Sequence, residues 1–257
     1  MSVDVKVADG VAWVTLDAPP LNLVSVAMTE ALEAAFDRLA ADPTVRCLVL
    51  TGAGEKAFCA GSDVKEFPAY MAPHKSITGK LWAENAMYSK LADFPWPTIA
   101  MVRGIAFGGG LELAVCCDLL YAADTARFAL PEVRLGVFPG SGGTVRVTAR
   151  IGPARAKRMM FFGDPIDAAT AQDWGLCDVV APGEDLHEVV ARDAARLGEG
   201  PQSLRLMKTA VAMASDHPPA DAITRMLPLI DEAFNSADCA EGTAAFIEKR
   251  PPRFGRD

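Results

Sequence analysis

The chain has 257 residues, enough for one large domain or a core with a smaller satellite. Apolar residues make up 51% and charged residues 23%, which fits an ordinary soluble globular protein and excludes a disordered one. A net charge of −8 and a pI near 5.0 argue against nucleic acid as a partner, because a phosphate-backbone binder carries a basic stripe.

Residues 1–9 hold neither an apolar signal-peptide core nor an Arg-rich presequence, and no apolar run approaches the roughly 20 residues of a spanning helix. A cytoplasmic location with no membrane partner is therefore expected. Residues 12–16 (AWVTL) predict a strand that Ala18-Pro19-Pro20 ends. Met28, Leu32, Ala35, Phe36 and Leu39 recur at helical spacing and predict an amphipathic helix over 26–40. Residues 45–50 (VRCLVL) are continuously apolar, as in a strand covered on both faces. Residues 98–102 predict another buried strand, then a glycine-rich turn, a short apolar helix over 111–117, and strands over 118–122 and 128–130. Repeated strand–strand–helix units point to a stacked, spiral α/β core rather than a doubly wound sheet. From Pro153 onward the periodicity is helical, with helices expected over 153–162, 167–174, 184–197, 201–214, 219–235 and 239–248. Pro153, Pro201 and Pro219 stand where a helix can begin.

Six cysteines show no C-x-x-C spacing and read as small buried thiols in a reducing compartment. The three histidines, His74, His187 and His217, lie far apart in polar contexts, so neither a metal site nor a Cys-His nucleophile pair is expected.

Two glycine turns and two glutamates carry the chemistry. Residues 56–66 (KAFCAGSDVKE) follow a buried strand with small residues and one glycine. Such a turn can bring backbone close to a ligand with amide N–H groups unpaired; equally, it can be a tight turn into a helix capped by Ser62 or Asp63. In residues 104–113 (GIAFGGGLEL), three successive glycines at a helix start can present free N–H groups at the positive end of the helix dipole. The alternative is a helix packed closely on a neighbour. The spacing matches neither a dinucleotide fingerprint nor a phosphate loop. Glu112 lies in the first turn of an otherwise apolar helix, where packing does not account for a carboxylate. A partly buried Glu has a raised pKa suited to acid-base work, although a favourable helix-dipole contact would also place an acid there. Glu132 follows a strand and Pro131, at the end of an element.

Together the stretches AFCAGSDVKEF (57–67), GIAFGGGLELAVCCDLLYA (104–122), ARFALPEVRLGVFPGSGGTVR (126–146) and EGTAAFIEKRPPRF (241–254) resemble the crotonase, or enoyl-CoA hydratase/isomerase, superfamily, in register across nearly the whole chain. The resemblance implies a ββα spiral core over 1–195, a helical oligomerisation region over 196–257, and a homotrimer or homohexamer. It also implies an acyl-CoA thioester substrate and no separate cofactor, coenzyme A being part of the substrate. By motif match the backbone N–H groups of Ser62 and Gly109 form an oxyanion hole for the thioester carbonyl. Many members have Ala where this chain has Ser62. Glu112 and Glu132 match the two hydratase glutamates, the first activating water for attack at C3 and the second exchanging the proton at C2. Where dienoyl isomerases have an Asp, this chain has Gly140, so hydration or dehydration is favoured over isomerisation. The FALPE segment also resembles the carnitinyl-CoA dehydratase branch. Ala60, Ser62, Asp63, Val64, Lys65 and Gly109 are expected along coenzyme A, with Phe246 and Lys249 completing the pocket from a neighbouring subunit. For Lys65 and Lys249 a solvated helix surface is the alternative. Residues 68–96, with Met71, Leu81, Trp82, Met87, Tyr88 and Leu91, are expected either to cover the acyl pocket or to pack as a helix.

Overall fold

The structure, a computed structural model, describes residues 3–255. Strands β1 (Val3–Ala8) and β2 (Val11–Leu16) form a hairpin, and helix α1 (Val26–Ala40) follows, its N-terminus capped by Ser25 accepting from the Met28 N–H. Three strand–strand–helix units come next. They are β3 (Cys47–Gly52), β4 (Ala57–Cys59) and α2 (Trp82–Ala92), then β5 (Thr98–Val102), β6 (Ile105–Phe107) and α3 (Gly109–Ala114), then β7 (Leu119–Ala123), β8 (Arg127–Ala129) and α4 (Gly143–Phe162). The remainder comprises β9 (Ile166–Asp167), α5 (Ala168–Trp174), β10 (Val179–Ala181), α6 (Leu186–Gly198), α7 (Ser203–Asp216), α8 (Pro219–Phe234) and α9 (Ala237–Glu248).

The first strand of each unit joins a sheet ordered β1-β2-β3-β5-β7-β10, and the second joins another ordered β4-β6-β8-β9. Apart from the β1–β2 and β8–β9 pairs, neighbouring strands run parallel. Each turn of the chain thus adds one strand to each sheet, and the result is the expected spiral.

Continuous apolarity in β3 has the expected cause. Leu48 and Leu50 pack into the main core with Phe36, Leu39 and Phe58, while Cys47 and Val49 face α6 through Leu186, Val190 and Ala194. Both faces are covered, so neither can be polar.

Several elements differ from expectation. The first strand has a partner, β1, joined by Asp9-Gly10, both at positive φ (49° and 81°), the Asp-Gly signature of a tight hairpin. Strands β4, β6, β9 and β10 have only two or three residues each, too few for alternation to register. Helix α4 starts at Gly143 rather than at Pro153, but it is broken at Gly152 (φ 76°, ψ 161°), so Pro153 does open its second segment. The C-terminal helices are pinned by Arg46, which is buried, donates to the carbonyls of Gly200 (2.8 Å) and Gly255, and lies over the Trp96 ring. Among the described residues no helix is long and apolar enough to cross a membrane.

Candidate active site

Parallel pairing of β4 with β6 sets the turn after β4 beside the turn after β6. Gly61 adopts φ +104° and Gly108 φ +52°, conformations that favour glycine, and the two turns touch. A Cβ on Gly61 would lie 3.0 Å from the Phe107 carbonyl oxygen and 3.5 Å from the Gly109 nitrogen. Gly110 packs so closely on Cys59 that a side chain there would meet its backbone, so the third glycine serves packing. Among the described residues, neither the Ser62 nor the Gly109 backbone N–H donates to a protein acceptor. Two unengaged donors from adjacent turns, one of them at a helix N-terminus, are suited to receive an oxygen that gains negative charge.

Glu112 is 3% exposed. Its Oε1 accepts from the Ser141 and Gly143 N–H groups, each at 2.8 Å, at the start of α4. Burial pushes its carboxyl above the ordinary value, and these two hydrogen bonds oppose the rise. Glu132 opens a 3-10 turn (Glu132–Leu135) behind Pro131. Burial pushes its carboxyl up to about 7, with the nearby Glu112 charge adding to the effect. Its Oε2 is buried without a hydrogen-bond partner, and a Cβ on Gly108 would lie 3.1 Å from its Oε1. Glu132 therefore faces the glycine turn that carries Gly109. The thiols of Cys47, Cys59, Cys116 and Cys177 are all pushed up to about 12 by burial and are poor nucleophiles.

A cavity of about 750 Å³ brings Ala60, Ser62, Val64, Gly109, Glu112 and Glu132 together. Asp63, Lys65, Phe246 and Lys249 do not line it within one protomer. Asp63 caps the 3-10 turn Val64–Tyr70 by accepting from the Lys65 N–H at 3.0 Å, so the capping reading of this segment holds. Lys65 is exposed on that turn; Phe246, 86% exposed, and Lys249 stand at the end of α9. Of the expected acyl-pocket wall, Met71 and Leu81 line the cavity, whereas Trp82 borders a separate depression. Met87, Tyr88 and Leu91 are fully buried core, and the Tyr88 hydroxyl donates to the Gly109 carbonyl at 2.9 Å. Three buried polar lining residues escape sequence reasoning: Lys80, Glu84 and Ser141. Lys80 and Glu84 are spaced i,i+4, as in an ordinary surface ion pair, and nothing in their neighbours marks them as buried.

The sequence profile of the enoyl-CoA hydratase/isomerase family matches residues 6–257. The chain is 39% identical over 246 residues to a probable enoyl-CoA hydratase of Mycobacterium bovis, covering 95% of this chain and 94% of the relative. It is 31% identical to the carnitinyl-CoA dehydratase of Proteus mirabilis, over 98% of both chains. The crystal structure of an enoyl-CoA hydratase from Bacillus anthracis superposes with a TM-score of 0.94 at 32% identity, covering 100% of each chain. With two carboxylates and two unengaged amides in one cavity, and likeness along its whole length, the chain belongs to the enoyl-CoA hydratase/isomerase family.

Proposed function

We propose that this protein is an enoyl-CoA hydratase, adding water reversibly across the 2,3-double bond of an enoyl-CoA thioester. The observation that carries this reading is the pairing of a buried carboxylate, Glu112, with a half-buried one, Glu132, unequally supplied with donors, beside two unengaged backbone N–H groups. The thioester carbonyl accepts from the Ser62 and Gly109 N–H groups, which stabilise the enolate oxygen that forms as C3 is attacked. Glu112, whose ionised form two N–H groups favour, takes a proton from water as its oxygen bonds to C3. Glu132, with a carboxyl near 7, one oxygen unpartnered and only its own backbone N–H to stabilise its anion, delivers a proton to C2. The proton then returns from Glu112 to Glu132, and the net change is addition of one water.

Coenzyme A is part of the substrate, and the scheme has no step that needs a separate cofactor. The segment 60–65 borders the coenzyme, with Lys65 near its phosphates, and Phe246 and Lys249 reach the pocket of a neighbouring subunit. Helices α7 to α9, within residues 196–257, form the oligomerisation region of a trimer or hexamer, whereas residues 1–195 form the catalytic core. Exposed Met207, Val211, Ile223, Leu227, Phe234 and Phe246 on these helices support that reading. Sedimentation is expected to give a trimer or hexamer mass; a monomer overturns this part.

The activity test is loss of enoyl-thioester absorbance with crotonyl-CoA. Rapid loss in wild type, and large falls in Glu112→Gln and Glu132→Gln, are expected. Binding without absorbance change excludes simple hydration. The 31% identity to a carnitinyl-CoA dehydratase favours, as the second reading, the same chemistry run as dehydration of a substituted hydroxyacyl-CoA.

A further inference from the structure

A polar cluster behind the two turns is not used by the chemistry above. Glu84, 2% exposed, lies on α2 among core residues Met87, Tyr88 and Leu91. Its Oε1 stands 3.0 Å from the Lys80 Nζ, and the Ser62 hydroxyl donates to the same oxygen at 3.4 Å. Its Oε2 accepts from the Ser141 hydroxyl at 3.0 Å. Lys80, 6% exposed, also reaches Glu66 Oε2 at 2.9 Å, and Glu66 Oε1 accepts from the Val26 N–H at 3.2 Å. Burial pushes the Lys80 ammonium down, but its bonds to Glu66 and Glu84 outweigh this and keep it charged. Burying such ions costs several kcal/mol each, and well-packed apolar residues often serve stability as well or better. The arrangement of partners offers another reason for keeping them.

Ser62 supplies one amide of the oxyanion hole, and Ser141 supplies one of the two N–H groups that hold Glu112. One carboxylate therefore grips, by their hydroxyls, a residue from each half of the active site. We propose that Glu84, held by Lys80, is a positioning residue for hydration, fixing the Ser141 turn that presents N–H groups to Glu112 and tying it to the Ser62 turn. This rests on the hydratase reading. The stronger arm is the 3.0 Å bond to Ser141; the 3.4 Å contact to Ser62 is weak.

Glu84 also adds a negative charge near Glu112. The groups facing Glu112 are Glu84 and Tyr88 from α2, Arg146 from α4, Glu132 from its turn, and Cys116 in the turn just after its own helix. Of these, Glu84 favours the protonated form of Glu112 and Arg146 the ionised form.

Two variants separate positioning from simple stability. Glu84→Ala removes the grip on both turns and is expected to lower kcat by roughly 10²-fold with KM little changed, the scale of a small misplacement of catalytic groups. Glu84→Gln keeps an acceptor for Ser141 and is expected to restore most of kcat. Having lost the charge, it also moves the acidic limb of the rate profile, where Glu112 ionises, to lower pH. A Glu84→Ala enzyme with wild-type kcat overturns the proposal, as does a Glu84→Gln profile that coincides with wild type. If the alanine variant fails to fold, the glutamine variant decides alone. Should wild type leave crotonyl-CoA unchanged, the hydratase reading fails separately. Carboxyl-carbon NMR of Glu112, assigned through Glu112→Gln, then decides: a titration displaced to lower pH in Glu84→Gln supports the Glu84 role, and an unmoved one sinks it.

Discussion

Glu112 sits on a helix buried in the core, with one oxygen held by two backbone N–H groups; Glu132 sits on a short turn near the surface, with one oxygen buried and unpartnered. The same residue type thus meets two environments in one cavity. At Glu112 the fold supplies donors that stabilise charge, and burial is partly offset. At Glu132 it supplies burial without side-chain donors, and the carboxyl rises to about 7. Under the proposed hydration this difference makes Glu112, with two N–H donors, the base and leaves Glu132, with its own backbone N–H alone, to hold the proton.

The largest effects come from removing either partner. Glu112→Gln and Glu132→Gln are each expected to lower kcat by roughly 10²–10⁴-fold, the usual contribution of a positioned acid or base. The double variant is expected to lose little more than the worse single one, because the two act on one water. Multiplicative losses in steady-state kinetics break the comparison by showing that the carboxylates act independently.

Next comes a change that spoils Glu112 without touching it. A Cβ on Gly143 would lie 2.8 Å from the Glu112 Cγ and 2.9 Å from its Oε1. Gly143→Ala is therefore expected to displace the carboxylate and lower kcat by roughly 10²-fold, with KM nearly unchanged. An alanine enzyme with full kcat means that the donor pair does not set the position of Glu112.

The pH response sharpens the other half. With the Glu132 carboxyl near 7, hydration is expected to fall above that pH, roughly tenfold per unit, because the proton for C2 is lost. Glu132→Gln removes this limb from what activity remains. Stability follows the same sign. Burial raises the carboxyl from 4.5 to about 7, so the stability it contributes is present below 4.5 and is lost as pH climbs through about 7. Melting temperatures that fall across this window in wild type but not in Glu132→Gln bear this out.

Legibility in the sequence follows the same division. The spiral core was readable because β3 and β5 are buried on both faces and α1 on one, so burial writes itself into composition and period. The glycine turns and Glu112 were readable because each breaks its local pattern. Short strands such as β9 leave too little pattern to detect. The cluster of Lys80, Glu84 and Ser141 was invisible for a different reason: its members come from α2, the turn before it and the turn before α4, and only the tertiary fold brings them together. Phe246 and Lys249 stay outside the cavity of one protomer, so their place depends on a neighbour that sequence likeness alone suggests.

The smallest expected effect concerns Ser62, which contributes to the site in two ways. Its backbone N–H is unengaged and its hydroxyl makes only a 3.4 Å contact to Glu84. Ser62→Ala keeps the amide and removes the hydroxyl, so the proposed oxyanion hole is preserved. A neutral-to-charged hydrogen bond at that distance is at the weak end of the scale, where about 1 kcal/mol corresponds to roughly fivefold. The variant is therefore expected to keep kcat within about tenfold of wild type, with the acidic limb of the pH profile unmoved, since the Glu84 carboxylate beside Glu112 is retained. A 10²-fold loss in Ser62→Ala would instead mean that the turn depends on its side chain for placement, and that the two halves of the site are coupled more tightly than the 3.4 Å contact implies.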